Sequence, residues 1–359
     1  MAFRIPSYAC IAFALLVIAG PTMAEHASPA QITRAFAEKE HFNGVVLVGK
    51  GSAIEYVESF GMADAAAGTP LSADTRFDTG SISKWIAAIV VLRLVQQGEL
   101  SLDEPIATYL PGYRRDTGAR LTLRTLMSHA SGVPNQVDEA IKRDPAVRDL
   151  SLDNANAVRR FASGDLQFEP GSDWDYSHSN WIIVKDVVET VSHRTYPQLV
   201  HDFLLAPLAL RDSGTWVGHA SSVPGMAAGY AQLSPPRLVD KASPDFMLMA
   251  GGYYTSANDM FRLLNGLFAG EILAPPQLAA LLKVIRPAQH YALGGRTRDM
   301  AIGGIQRTVA WEYGSNGAFR VLAWRVIDDG HTVVIMNNTS FDHMKVGDLA
   351  TQLLESTYH

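Results

Sequence analysis

The chain has 359 residues, of which 47% are hydrophobic, 18% charged and 9% aromatic, so collagen-like, low-complexity and mostly disordered proteins are excluded. Thirty lysines and arginines against 36 aspartates and glutamates give a net charge of −6. No basic run stands out, which argues against a nucleic-acid partner. The single cysteine, Cys10, excludes a disulfide scaffold and a cysteine-based zinc site.

Residues 1–24 are typical of a secretory signal peptide. Arg4 supplies a positive start, residues 9–20 form an apolar run, and Thr22-Met23-Ala24 places small residues at a cleavage site. The run is shorter than the roughly 18–20 apolar residues that a membrane span needs. We therefore expect cleavage after Ala24 and a periplasmic or secreted protein without a membrane span. An uncleaved N-terminal anchor is the alternative.

Apolar periodicity predicts the remaining elements. In the first third these are a helix at 30–39, strands at 44–49 and 53–60 that form a hairpin, a loop at 61–79, and a helix at 82–97. The last of these is apolar on most faces and should be buried. The middle of the chain is predicted to be helical at 122–128, 153–162, 180–192, 196–204, 256–268 and 275–284. The C-terminal part has predicted strands at 319–327 and 332–336, a turn at 328–330 between them, and a closing helix at 346–358.

Strands at both ends with helices between them predict an α/β fold of the α+β type. One antiparallel sheet would be built from both chain ends and flanked by helices, with a mainly helical subdomain inserted. We expect residues 25–80 and 285–359 to form the sheet subdomain and residues 81–284 the helical subdomain.

The first candidate site is Ser81-Ile82-Ser83-Lys84, at the start of the apolar helix. Residues three apart share a helix face, so Lys84 can point at the Ser81 hydroxyl, and burial would lower its pKa enough for it to act as a base. The helix N-terminus adds N–H groups and a positive dipole where an oxyanion would develop. A capping serine and a surface lysine would give the same motif, but a lysine on an apolar helix needs a partner.

Two further segments give weaker indications. In Tyr176-Ser177-His178, a tyrosine beside a cationic lysine could lose its proton more easily and relay protons, although a loop before a helix capped by Ser179 or Asn180 is the simpler explanation. In residues 311–319, glycines would let another backbone approach a strand closely. That suits a substrate and an oxyanion-hole N–H at a sheet edge, but a Gly-Ser-Asn-Gly turn is again the simpler explanation.

In this order, the segments resemble the serine β-lactamase and penicillin-binding-protein superfamily. Within it, the chain is most similar to the class C β-lactamase-like branch, which includes β-lactamases, D-alanyl-D-alanine carboxypeptidases, D-aminopeptidases and serine esterases. The resemblance covers nearly the whole chain after residue 24. Five segments carry the resemblance. Three of them are residues 43–48, Phe77-Asp78-Thr79-Gly80-Ser81-Ile82-Ser83-Lys84 and residues 97–105. The other two are Leu126-Met127-Ser128-His129-Ala130-Ser131-Gly132-Val133-Pro134, similar to L-L-x-H-T-S-G-L-P, and residues 250–259, similar to A-G-G-x-x-S-T-x-x-D.

The resemblance implies a β-lactamase/transpeptidase-like fold and an acyl-enzyme formed on Ser81. Lys84 would be the base, and Tyr176 would relay protons to the leaving group. The N–H groups of Ser81 and Ser315 would form the oxyanion hole, and His129 would be structural. The residues expected to line the substrate site are His178, Glu312, Tyr313 and Gly314. The implied partner is a small ester, an amide or a short peptide, with no cofactor and no metal.

Two departures from the family pattern affect specificity. Tyr176-Ser177-His178 stands where the family has Tyr-x-Asn. If Gly314 sets the register, Glu312-Tyr313-Gly314 stands where it has Lys/His-Thr/Gly-Gly; a shift of one residue would put Trp311 or Tyr313 there instead. In penicillin-recognising members the cation helps hold the substrate carboxylate, which Glu312 would repel. We therefore expect esters or amine-bearing amides to be better substrates than penicillins or D-Ala-D-Ala peptides.

Two alternative functions are compatible with the same motifs. A class C-like β-lactamase or D-alanyl-D-alanine carboxypeptidase would use the same residues. A catalytically disabled binding protein would explain the two departures, but it gives no reason to retain Ser81, Lys84 and Tyr176 together. The sequence contains no G-x-S-x-G, no H-E-x-x-H and no glycine-rich phosphate loop, which argues against α/β-hydrolases, zinc peptidases and nucleotide-binding proteins.

Overall fold

The computed structural model describes residues 27–358, so the predicted signal peptide at 1–24 lies outside the described residues. The α-helices of this part of the chain are α1 (Pro29–Glu40), α2 (Ile82–Gln96), α3 (Arg115–Gly118), α4 (Leu123–Met127), α5 (Gln136–Arg143), α6 (Asn154–Phe161), α7 (Ser179–Ser192), α8 (Tyr196–Val200), α9 (Leu248–Gly251), α10 (Ala257–Phe268), α11 (Pro275–Leu282) and α12 (His343–Ser356). Its strands are β1 (Gly44–Lys50), β2 (Ala53–Phe60), β3 (Met62–Asp64), β4 (Thr69–Pro70), β5 (Phe77–Asp78), β6 (Gly214–Thr215), β7 (Gly218–His219), β8 (Tyr230–Leu233), β9 (Pro236–Leu238), β10 (Ala242–Ser243), β11 (Tyr253–Thr255), β12 (Arg296–Ile302), β13 (Ile305–Asn316), β14 (Phe319–Val326) and β15 (His331–Asn337).

Six strands form one antiparallel sheet in the order β12-β13-β14-β15-β1-β2. The two ends of the chain meet at β1, where Gly44 pairs with Asn337 of β15 on one side and with Phe60 of β2 on the other. The predicted antiparallel sheet built from both chain ends is therefore confirmed. The division into a sheet subdomain and a helical subdomain stays a prediction.

The sheet separates two apolar clusters. Val45 and Leu47 of β1 face a large cluster shared with α2, α7 and α10, whereas Val46 and Val48 face a smaller cluster covered by α1 and α12. This alternation follows from the two-residue period of a strand. Ile32, Phe36 and Ala37 of α1 pack on the smaller cluster.

Helix α2 runs through the larger cluster, as its composition predicts. Every residue from Ile82 to Leu92 is buried, including Ser83 and Lys84. None of the helices in residues 27–358 is long and apolar enough to cross a membrane.

The predicted helices of the middle region are present, with ends within a few residues of those expected. The exception is the stretch at 196–204, where α8 stops at Val200 and a π-helical turn, His201–Leu205, continues it. The sequence does not predict helices α3, α5 and α9, the short strands β3 to β11, or strands β12 and β13. Of these, α5, α9, β12 and β13 carry residues that contact or line the candidate site.

Candidate active site

Ser81 and Lys84 face each other at the start of α2. Ser81 is the residue before Ile82, and its side chain caps no helix N–H. Instead, the Lys84 Nζ lies 3.1 Å from the Ser81 Oγ, and it also donates to the Ala250 carbonyl oxygen at 2.6 Å. The alternative of a capping serine and a surface lysine is therefore excluded, because Lys84 has no exposed surface.

The environment of Lys84 favours the neutral amine. Burial lowers the pKa of Lys84 to about 7; the carboxylates of Glu312 and Asp138 oppose this shift, and the Arg296 guanidinium adds to it. Near neutral pH a large fraction of Lys84 is therefore unprotonated and able to accept a proton.

Tyr176 completes the contacts of the serine hydroxyl. Its Oη donates to the Ser81 Oγ at 2.8 Å, and its ring lies 5.1 Å from the Lys84 Nζ. Burial and the Glu312 carboxylate raise the pKa of Tyr176 above its usual value. This shift is opposite to the more acidic tyrosine expected from the sequence, because burial and Glu312 outweigh the Ser81 hydrogen bond and the Arg296 charge. Tyr176 is therefore a protonated phenol that can donate a proton.

His129 holds the segment that carries Tyr176. Its ring stacks on the Tyr176 ring with centroids 4.2 Å apart, and its Nδ1 accepts a hydrogen bond from the Ser177 N–H at 3.1 Å. The ring is fully buried, and burial followed by the charge of Lys84 lowers its pKa well below the usual value. These contacts fit the structural role expected for His129.

Two glycines let the turn before α2 lie directly against β13. A Cβ at Gly314 would be 1.7 Å from the Thr79 carbonyl oxygen, and a Cβ at Gly80, which has φ +50°, would be 2.6 Å from the Ser315 nitrogen. This close approach brings the backbone of Ser315 beside the nucleophile turn. The Ser81 N–H donates to no acceptor among the described residues, as an oxyanion-hole donor requires.

The structure has the register in which Gly314 faces the nucleophile turn, so Glu312 faces the site. Glu312 is 2% exposed, and both of its carboxylate oxygens lie 2.6 Å from one nitrogen of Arg296, on the neighbouring strand β12. The expectation that Glu312 presents a bare negative charge to the substrate is therefore wrong, because Arg296 compensates it. No local pattern marks Arg296 in the sequence, since the pairing depends on the alignment of two strands.

The prediction that Tyr313 lines the substrate site is wrong for its side chain. Tyr313 packs with the cluster on the opposite face of the sheet, near His343 and Gly347 of α12. The reason is the alternation of side chains along β13, which puts Glu312 and Gly314 on one face and Tyr313 on the other.

His178 does lie at the site, in a network that the sequence did not indicate. Its Nδ1 is 2.9 Å from the Asp138 Oδ2 of α5, and Asn135 accepts from the His178 N–H while its amide donates to Asp138. Burial and the Lys84 charge lower the pKa of His178, although Asp138 opposes this shift. His178 is therefore mainly neutral near pH 7.

A cleft of about 240 Å³ opens beside Ser81. Its lining includes Ser81, Asp138, Lys142, Arg148, His178, Ala250, Ser315 and Asn316. Asn316 is held by a 2.7 Å hydrogen bond to Asp78, whose other oxygen accepts from the Gly80 N–H at 2.9 Å. A larger cavity of about 560 Å³, beside Tyr109 and Asp186, contains none of the candidate site residues.

Comparison with known proteins agrees with this geometry. Residues 30–357 match the family described as Beta-lactamase, which covers almost all of the described chain. The chain belongs to the β-lactamase family. It is a serine hydrolase of that family, and its closer placement in the class C-like branch stays a prediction.

Similar proteins include one esterase and two solved structures of the same fold. Esterase EstB of Burkholderia gladioli is 27% identical, with 90% of this chain and 93% of the esterase aligned. A penicillin-binding protein from Bacillus halodurans has a similar fold, with a TM-score of 0.75, 24% identity, and 88% of this chain and 97% of that one covered. A D-stereospecific amidohydrolase from Streptomyces sp. also has a TM-score of 0.75 and 24% identity, with 90% and 98% covered.

Proposed function

We propose that this protein hydrolyses an ester or amide bond through an acyl-enzyme formed on Ser81. The observation that carries the proposal is the position of the Ser81 Oγ, 3.1 Å from the Lys84 Nζ and 2.8 Å from the Tyr176 Oη at a cleft. A serine becomes a useful nucleophile when a neighbouring base takes its proton. The similarity to an esterase and to a D-stereospecific amidohydrolase supports both bond types.

The chemistry follows from the protonation states. Neutral Lys84 takes the Ser81 proton while the Oγ forms a bond to the substrate carbonyl carbon, and the carbonyl electron pair moves to the oxygen. That oxyanion accepts hydrogen bonds from the N–H groups of Ser81 and Ser315. When the electron pair returns, the bond to the leaving group breaks. The leaving group takes a proton from Tyr176, which the Lys84 ammonium replaces. Water then attacks the acyl-enzyme by the same steps and releases the acid.

The alternative substrates are a cephalosporin and a D-Ala-D-Ala peptide. Both need their carboxylate held, and the family holds it with a cation at the position of Glu312. Here the Arg296 guanidinium is bonded to Glu312, so this position is an ion pair without a net charge. We therefore expect a neutral p-nitrophenyl ester to have a higher kcat/KM than either alternative.

We also propose that the protein acts in the periplasm or outside the cell, on the evidence of residues 1–24 alone.

The decisive variant is Ser81→Ala. Loss of a positioned nucleophile lowers turnover by several powers of ten, on the order of 10⁴ or more. We expect Ser81→Ala to lose both p-nitrophenyl ester turnover and labelling by a fluorophosphonate, while its circular dichroism spectrum is unchanged. Ser172→Ala, at an exposed loop serine, is the matched control and should keep both. Wild-type turnover in Ser81→Ala would disprove the mechanism, and a wild-type protein that takes no label would favour the disabled binding protein.

A further inference from the structure

We propose that the cleft beside Ser81 binds a substrate whose acyl group carries a carboxylate, held by Arg148 with support from Lys142. This inference rests on the proposed function, because it identifies the acyl side of the same site. Arg148 and Lys142 both line the cleft together with Ser81 and Ser315.

The charges of the cleft favour an anion. Asp138 lines the same space, but its Oδ2 already accepts hydrogen bonds from His178 and Asn135. Within residues 27–358, neither Arg148 nor Lys142 forms an ion pair, and the polar contact of Arg148 is a long one, 3.4 Å to the Ala242 carbonyl oxygen. The cleft therefore has two cations against one carboxylate that already has hydrogen-bond donors. An amine on the acyl group would be repelled.

The charge of Arg148 influences titratable groups on both sides of the cleft. It belongs to the 3-10 turn Pro145–Asp149, which follows α5, and its side chain is half-buried. Burial and the charges of Lys84 and Arg148 lower the pKa of His178 on one wall. Asp78 is buried behind Asn316, which lines the cleft and donates to it. Burial raises the pKa of Asp78 to about 7, and the charge of Arg148 is among the influences that oppose this shift. A half-buried guanidinium with unused donors is suited to bidentate binding of a carboxylate.

The position of Tyr176 tells which part of the substrate occupies the cleft. Tyr176 donates the proton to the leaving group, and neither Tyr176 nor the Glu312–Arg296 pair lines the cleft. The leaving group therefore lies on the Tyr176 side, and the acyl chain extends from Ser81 toward Arg148. The ligand class is a monoester or monoamide of a short dicarboxylic acid, or an acidic acyl group of similar length.

The test compares two esters with the same leaving group. The mono-p-nitrophenyl ester of glutaric acid carries a carboxylate, and p-nitrophenyl butyrate is its neutral counterpart. We expect wild-type kcat/KM to be higher for the glutarate ester, and we expect this preference to weaken as NaCl is raised. Arg148→Gln should lower the ratio of the two kcat/KM values by about 10- to 100-fold, as removal of a charged hydrogen bond does. Lys142→Gln should lower it less, because Lys142 is exposed.

The control is Arg143→Gln, which removes the same charge from an exposed arginine on α5 that does not line the cleft. Its ratio should equal that of the wild type. A wild-type enzyme without preference for the glutarate ester, or a ratio that Arg148→Gln leaves unchanged, would overturn the subsite. If Arg148→Gln does not fold, protection of the wild type from fluorophosphonate labelling decides, with glutarate expected to protect better than butyrate. Equal protection would overturn the subsite, and the proposed function would still stand on Ser81-dependent turnover of the neutral ester.

Discussion

At the scale of single residues, the unusual feature is the ion pair of buried Glu312 with half-buried Arg296, beside a buried lysine. The carboxylate of Glu312 and the guanidinium of Arg296 influence Lys84 with opposite signs: the first raises its pKa and the second lowers it. The two partners oppose each other, and burial is the largest influence on the pKa of Lys84. Removing one partner would leave the other charge uncompensated in a poorly solvated place.

The pair predicts how the pH dependence of catalysis responds to substitution. Because Lys84 must be neutral, wild-type kcat/KM for p-nitrophenyl butyrate should rise with pH through an apparent pKa of about 7. Glu312→Gln removes a carboxylate that raises the pKa of Lys84, so the acidic limb should move to lower pH. Arg296→Met removes a cation that lowers it, so the limb should move to higher pH.

The double variant is the control for this prediction. With both charges gone, the acidic limb should lie between those of the two single variants. The other groups around Lys84, namely Asp138, His129, His178 and Tyr176, are unchanged in all three variants. Shifts of both single variants in the same direction would show that the limb does not report Lys84.

At the scale of elements, the site depends on contact between the turn before α2 and β13. Thr79, in that turn, donates from its N–H and its hydroxyl to the Tyr253 carbonyl oxygen of β11, which fixes the turn from one side. From the other side, the missing side chain of Gly314 lets β13 reach the Thr79 carbonyl. The distance between the nucleophile and the Ser315 N–H is set by this packing.

Gly314→Ala should therefore reduce activity. The added Cβ would stand 1.7 Å from the Thr79 oxygen, so the turn and the strand must separate. A displacement of about 1 Å in a catalytic geometry can lower the rate by about 100-fold. The measurement is kcat/KM for p-nitrophenyl butyrate with the rate of fluorophosphonate labelling. Gly112→Ala, where a Cβ meets no atom within 4 Å, should change neither, and wild-type labelling in Gly314→Ala would contradict this account.

At the scale of the whole molecule, one sheet serves two different purposes. Its face toward α2 belongs to the larger cluster and bears Glu312 and Gly314, whereas its opposite face packs on α1 and α12 and carries the side chain of Tyr313. Because catalysis is confined to the first face, stability and activity should respond separately to substitutions on the second.

Leu349→Ala tests this separation. Leu349 of α12 is fully buried in the smaller cluster, so its truncation should lower the free energy of unfolding by about 2–5 kcal/mol. Below the unfolding transition, kcat/KM for p-nitrophenyl butyrate should remain near the wild-type value. Met344→Ala, on the same helix but 63% exposed, should change the stability by less than about 0.5 kcal/mol. Urea unfolding provides the stability, and a large loss of kcat/KM in Leu349→Ala would contradict the separation.

The sequence by itself determined the elements whose chemistry is local. The hairpin of β1 and β2, the buried helix α2 and the pairing of Ser81 with Lys84 all follow from patterns within a few residues. By contrast, β12 is a charged edge strand whose hydrogen bonds come from β13, and the polar sequence of α5 has no apolar run that would predict it. Only the tertiary structure decided that Arg296 compensates Glu312, that Tyr313 turns away from the site, and that Arg148 and Lys142 line the cleft. Each of these depends on the register or packing of segments far apart in the chain. Such contacts produce no recognisable residue pattern within either segment, so the sequence alone does not predict them.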